Sequence, residues 1–174
     1  LMQQTDFAIE ILINDDTSND ATKEILSTYA KKHPEKVKLN VQRENQYSKG
    51  NRSFIARYLL PKARGEYLAV CEGDDYWTDP EKLQRQADFL DKHPDHALCF
   101  HPVKVVFESG NKRGGVVPDT KNKSFSRLEL LKGNYIQTNS VMYRKQKYKD
   151  IAVDATPADW YLHLYHAQYG KIGF

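Results

Sequence analysis

Apolar positions in residues 9–14 alternate and then run together, the pattern of a buried strand. It ends in six turn-forming and helix-capping residues, Asp15, Asp16, Thr17, Ser18, Asn19 and Asp20. Ile25, Leu26 and Tyr29 then predict a helix over residues 21–32, stopped by His33 and Pro34. Val37, Leu39 and Val41 alternate, which predicts a second strand over 36–42. A polar loop at 44–50 leads to a predicted helix at 51–60, with Phe54, Ile55 and Tyr58 on one face. The run at 66–71 reads as another buried strand. Beyond it, Asp79 and Pro80 read as the cap and first position of a helix carrying Leu83, Ala87 and Leu90.

The remainder continues the alternation. A strand is predicted over 97–107, a long Gly- and Lys-rich loop over 108–124, and a short helix over 126–132. Residues 136–143 read as a strand with Thr138, Asn139 and Ser140 embedded in it. A last helix is predicted over 159–169, and 170–174 begins a further strand. No internal repeat is visible. Strands alternating with helices indicate an α/β domain with a mostly parallel sheet. Ligands of such sheets gather at the carboxyl ends of strands, where Asp15-Asp16 and Asp74-Asp75 both fall.

Length and charge narrow the reading. A chain of 174 residues is the size of one domain. Its 26 basic and 23 acidic residues nearly balance, so nothing indicates a nucleic-acid partner. Cys71 and Cys99 both sit in apolar runs and are expected to be buried and reduced. No apolar run is long enough to span a membrane, and no signal peptide is visible, so a cytoplasmic protein is the default. The basic run at 145–149 could approach the inner face of an anionic membrane, or serve only as a solvated turn.

The acidic stretch at 72–75 is the first candidate site. Glu72, Asp74 and Asp75 are hard oxygen ligands suited to Mg²⁺ or Mn²⁺, which share coordination with substrate phosphates. Gly73 would let the backbone turn without a clash. The plain alternative is an acidic turn that caps the next helix. Asp15 and Asp16 have a similar alternative as caps of the helix at 21–32. Asp159, flanked by Ala158 and Trp160, could be an ordinary acidic residue at a helix start. His163 and His166 share a helical face, but no third ligand accompanies them.

Three stretches in order carry a family resemblance. ILINDDTSNDAT at 11–22 resembles the nucleotide-binding signature of the family 2 glycosyltransferases. ARGEYLAVCEGDD at 63–75 is similar to the strand bearing that family's DxD-type metal motif. TPADWYLHL at 156–164, followed by GKIG at 170–173, resembles the segment with its catalytic base. The resemblance implies an α/β fold of the GT-A type, the Rossmann-like three-layer fold of nucleotide-diphospho-sugar transferases. It implies a mostly parallel mixed sheet in a single domain over 1–174. That domain is expected to lack its first strand and its C-terminal part.

The resemblance also assigns roles. Asp16 matches the position that binds the nucleotide base, with Asp15 beside it. Asp75 matches the metal-binding aspartate, with Asp74 near the metal or the ribose. Asp159 matches the general base that deprotonates the acceptor hydroxyl, which implies inversion at the anomeric carbon. Lys49 and Arg52 are the basic residues best placed for the diphosphate, with solvated surface charge as the alternative. Glu72, Trp77, Thr138 and Asn139 are candidate donor or acceptor contacts. The implied partners are a nucleotide-diphosphate sugar carrying uridine or thymidine, and a glycan or lipid-linked acceptor. Two departures stand out: Ala56-Arg57 replaces the family's Arg-Asn pair, and Glu72 replaces an aspartate. The competing readings are a sugar-phosphate nucleotidyltransferase, whose Gly-rich phosphate loop is not visible, and a non-catalytic nucleotide- or glycan-binding domain.

Overall fold

The computed structural model describes residues 3–107, 114–119 and 124–174. Most of the loop expected at 108–124 therefore lies outside the described residues. The chain divides into two compact units, one formed by residues 7–65 and 147–161 and the other by the remainder.

In the first unit, strands β1 (Ile11–Asp15) and β2 (Val37–Val41) pair in parallel around helix α1 (Thr22–Lys32). The register sets Ile11 opposite Val37 and Asp15 opposite Val41. Asn14 ties the pair further, its Oδ1 accepting from Asn40 Nδ2 and Gln42 Nε2, each at 2.7 Å. Helix α1 has no side-chain cap at its N-cap Ala21, so Asp15 and Asp16 do not serve the alternative role of caps. Asp20 Oδ1 accepts from Thr22 N at 2.9 Å, whereas Asp15 and Asp16 bond elsewhere. The helix expected at 51–60 also takes a different form: a π-helical turn over Ile55–Leu59 runs into a 3₁₀ turn over Leu60–Lys62. Pro61 has no N–H to donate, so an α ladder cannot pass through it. The Ala63 N–H instead serves both Leu59 and Leu60 carbonyls, at 3.1 and 3.3 Å.

The second unit contains β3 (Tyr67–Ala69), α2 (Lys82–Lys92), β4 (His96–Cys99), β5 (Val103–Lys104), β6 (Val116–Val117), α3 (Arg127–Lys132) and β7 (Met142–Arg144). Helix α4 (Ala158–Ala167) starts in the first unit and ends in the second, ahead of β8 (Lys171–Gly173). The four-stranded sheet runs β3-β7-β4-β8. Strand β7 is antiparallel to both neighbours, β4 and β8 are parallel, and β5 and β6 form an antiparallel ribbon. The architecture is α/β with mixed sheets, and its parallel share is smaller than the alternation of elements suggested.

Four local expectations change for identifiable reasons. The strand expected at 97–107 divides because Pro102 cannot donate to a ladder, so β4 ends and β5 pairs with β6 instead. Thr138–Ser140 form a 3₁₀ turn before β7 and so do not interrupt a strand. Helix α2 begins at Lys82, later than Asp79 and Pro80 suggested, because the Asp79 carboxylate bonds Glu81 N at 2.9 Å in a preceding turn. Cys99 is buried as expected, but Cys71 is exposed, since β3 ends at Ala69 and the chain has left the sheet. Both thiols are free.

The core of this unit joins Leu83, Ala87 and Leu90 of α2 to Leu98, Val141 and Tyr143. Arg144 Nη2 donates to the Leu90 carbonyl at 2.7 Å, satisfying the last turn of α2. His163 and His166 belong to this core. The Tyr143 hydroxyl meets His163 Nδ1 at 2.6 Å, and the Tyr143 ring stacks on His166 at 4.1 Å between centroids. Burial pushes His166 down from the ordinary 6.5 to about 4. The unfolded chain therefore binds one more proton than the folded chain between those two values. Stability conferred by neutral His166 is present above pH 6.5 and is lost as pH falls toward 4, by about 3 kcal/mol. Urea unfolding at pH 7.5 and 4.5 should show this loss, and His166→Phe should shrink it. Equal acid sensitivity in both proteins would rule His166 out as the cause.

Candidate functional site

The acidic loop follows directly from β3. Its turn is closed by Asp75 N donating to the Glu72 carbonyl at 3.2 Å, and Cys71, Glu72, Asp74, Asp75 and Tyr76 are all exposed. Gly73 is not required by space: an added Cβ would meet nothing within 4 Å. The carboxylates do not cap α2, whose N-terminus has no side-chain cap. Partial burial, then the neighbouring Asp74 charge, pushes the Asp75 carboxyl up. The donor set is all oxygen and exposed, which suits Mg²⁺ or Mn²⁺.

Trp77 and the 138–140 turn lie against this loop. Trp77 Nε1 donates to the Asn139 carbonyl at 2.7 Å, and the Lys82 ammonium covers the indole at 4.0 Å. One ring face is thus already occupied. Gln86 Nε2 donates to the Ser140 carbonyl at 2.9 Å. Thr138 and Asn139 are half-buried here, and Glu72, Asp74, Asp75, Trp77, Thr138 and Asn139 all belong to the second unit.

The first unit holds the remaining candidates. Asp15 is 3% exposed and accepts from the Ser18 hydroxyl at 2.5 Å. Asp16 receives two backbone donors, Gln46 N at 2.8 Å and Tyr47 N at 2.9 Å, which fold the 44–49 loop onto it. Between them and the loop, Thr17 adopts φ 67°. A β-branched residue in the left-handed region is strained by about 1–3 kcal/mol, and such strain gathers at functional sites. Lys49 pairs with Glu44 at 2.5 Å, and the Arg52 guanidinium lies 3.5 Å from the Tyr47 ring centroid. Both bases are engaged by their own loop. Asp159 is half-buried in the first turn of α4. The segment leading to it is anchored by the Ser53 hydroxyl to the Ala155 carbonyl at 3.1 Å and by Arg57 to Asp154 at 2.5 Å.

Asp16→Asn tests the loop anchor. An amide nitrogen facing a backbone N–H removes one of the two bonds, at a cost of about 1–3 kcal/mol. Hydrogen exchange at the Gln46 and Tyr47 amides should accelerate at least tenfold. Unchanged protection would show that Asp16 does not hold the loop.

A separate set, His93, Asp95 and His96, places one ligating atom each within 4.8 Å of the others. Two imidazoles suit zinc, copper or nickel better than Mg²⁺ or Mn²⁺. Asp95 is already bonded by Lys171 and His96, each at 2.8 Å, which holds its carboxyl at about 2. Sequence reasoning missed the buried polar pair Lys82 and Gln86 in α2. Their positions were readable, because 82, 83, 86, 87 and 90 form one helical stripe that includes a lysine.

The fold is α/β, with exposed paired carboxylates after β3 and a second pair at the end of β1. Residues 1–152 match the family described as glycosyl transferase family 2, and the chain belongs to that family. It is 46% identical over 98% of its length to an uncharacterized protein of Mycobacterium tuberculosis, covering 48% of that protein. It is 35% identical to an uncharacterized glycosyltransferase of Nostoc, covering 84% of this chain and 45% of the relative. It is 33% identical to TuaG of Bacillus subtilis, named for teichuronic acid biosynthesis, over 79% of this chain and 51% of the relative. The chain thus spans about half the length of the curated relatives it matches.

Proposed function

We propose that the chain is a single glycosyltransferase domain that moves a sugar from a UDP- or dTDP-sugar to an acceptor hydroxyl with inversion. What supports this most is the pair Asp74 and Asp75, exposed and mutually repelling after β3, in a chain of this family. Asp75 and Asp74 would hold Mg²⁺ or Mn²⁺, with Glu72 beside them. Bound there, the cation would neutralise charge on the leaving diphosphate. Asp16 would meet the nucleotide base with Asp15 beside it, Asp74 would lie near the metal or the ribose, and the 44–52 loop would bring Lys49 and Arg52 toward the diphosphate. Asp159 would take the acceptor proton as the new glycosidic C–O bond forms and the bond to the diphosphate oxygen breaks.

The acceptor is proposed to be a glycan or a lipid-linked sugar, in polysaccharide biosynthesis, as the name of the Bacillus relative suggests for that protein. Peripheral attachment at the inner membrane face through the basic run at 145–149 belongs to the same proposal. No helix among the described residues is long and apolar enough to cross a membrane. The test is a panel of UDP- and dTDP-sugars, with proton NMR of the anomeric signal of the product. Release of UDP with an inverted anomeric centre is expected; retention would overturn the single-displacement role of Asp159.

A further inference from the structure

The turn between α2 and β4 carries the His93, Asp95 and His96 set, outside the acidic loop. His93 closes α2, Asp95 stands in the turn and His96 opens β4. One ligating atom from each lies within 4.8 Å of the others. Two bonds of about 2.1 Å to one ion allow at most about 4.2 Å between ligands, so small side-chain rotations close the set. His93 and Asp95 are exposed and His96 is half-buried, so an ion reaches them from solvent. Asp95 and His96 also line an open cavity of about 430 Å³, with room for the water that completes the coordination of a zinc ion.

Packing holds the three groups near one another. The Phe89 ring lies 4.5 Å from His93 and 5.3 Å from His96 between centroids, and the two imidazoles stand 5.3 Å apart. Phe89 is itself wedged against β8, where a Cβ on Gly173 would come within 2.3 Å of its ring. The Asp95 Oδ1 atom lies 2.8 Å from His96 Nδ1, so carboxylate and imidazole already meet. The Asp95 carbonyl accepts from Lys171 N at 2.8 Å, and a Cβ on Gly170 would lie 2.7 Å from that oxygen. Strand β8 thus fixes the turn, and little further ordering is needed to bind an ion. One group opposes a cation: the Lys171 ammonium, 2.8 Å from Asp95 Oδ2. Its side chain is 72% exposed, so it can swing into water. Two nitrogen donors and one carboxylate select zinc over Mg²⁺, which prefers oxygen alone.

We infer that His93, Asp95 and His96 form a zinc site that clips the end of α2 to the start of β4. The test is calorimetric titration of zinc into metal-free protein carrying Asp75→Asn, which removes a ligand of the acidic loop. One zinc should bind per chain, and Mg²⁺ should not compete for it. His93→Gln changes an exposed side chain and should weaken zinc binding by about tenfold or more. Lys171→Met removes the competing ammonium and should tighten it by about two- to fivefold. Zinc should also raise the melting temperature of the parent and leave that of His93→Gln unchanged. Absence of zinc binding, or equal affinity in the parent and His93→Gln, would overturn the inference. Weaker binding in Lys171→Met would do the same, because the lysine would then support the ion and not compete with it. The titration contains neither UDP nor Mn²⁺, so its outcome is independent of the transferase reading.

Discussion

Asp159→Asn should lower sugar transfer by about 10²–10⁴-fold while leaving UDP affinity within about twofold of wild type. The carboxamide keeps the shape of the side chain and its place in the first turn of α4, but it cannot accept the acceptor proton. Neighbouring anchors, Ser53 to Ala155 and Arg57 to Asp154, do not involve the Asp159 carboxylate. The segment should therefore hold its conformation in the variant. Steady-state kinetics should show the loss in kcat with little change in the KM for donor. A matching collapse of UDP binding would remove Asp159 from the role of base and make it a structural residue.

Asp75→Asn should abolish the Mn²⁺ enhancement of UDP binding, a loss of about tenfold or more at saturating metal. The residue beside it provides the physical reason. Partial burial and then the Asp74 charge push the Asp75 carboxyl up, and a divalent cation held by both carboxylates would offset that repulsion. The variant should be as stable as wild type in metal-free buffer, because relief of a like-charge contact offsets the loss of an exposed carboxylate. Calorimetry with and without Mn²⁺, paired with thermal unfolding, separates the two effects. Undiminished metal enhancement in Asp75→Asn would move the cation to another site.

The regular elements were legible where a pattern repeated. Val37, Leu39 and Val41 gave β2, and Leu83, Ala87 and Leu90 gave the apolar stripe of α2. Legibility failed where one residue acts through its backbone. Pro61 turned an expected α-helix into π and 3₁₀ turns, and Pro102 divided an expected strand. The antiparallel course of β7 depends on pairings distant in sequence, with Met142 opposite both Ala69 and Cys99. No local pattern encodes that direction.

The acidic residues themselves were read from spacing and resemblance, but their partners were not. Asp15 and Asp16, assigned to the nucleotide with helix caps as the alternative, bond Ser18 and the 46–47 backbone, a closure that a reading of local turns does not reach. Lys49 and Arg52 were marked by charge and by their place after the 44–48 loop, and the structure folds both onto their own loop. Lys82 was passed over because a lysine in a helix is ordinarily solvated. Its burial depends on the Trp77 ring and on the end of β4, which only the fold brings to it.

The most direct test is calorimetric titration of the purified protein with UDP in the presence and absence of Mn²⁺. A metal-dependent nucleotide-sugar transferase should bind UDP at least tenfold more tightly with Mn²⁺ than without it. UDP binding that is absent, or equal in the two conditions, would contradict the metal-dependent transfer proposed for Asp74, Asp75 and Asp159.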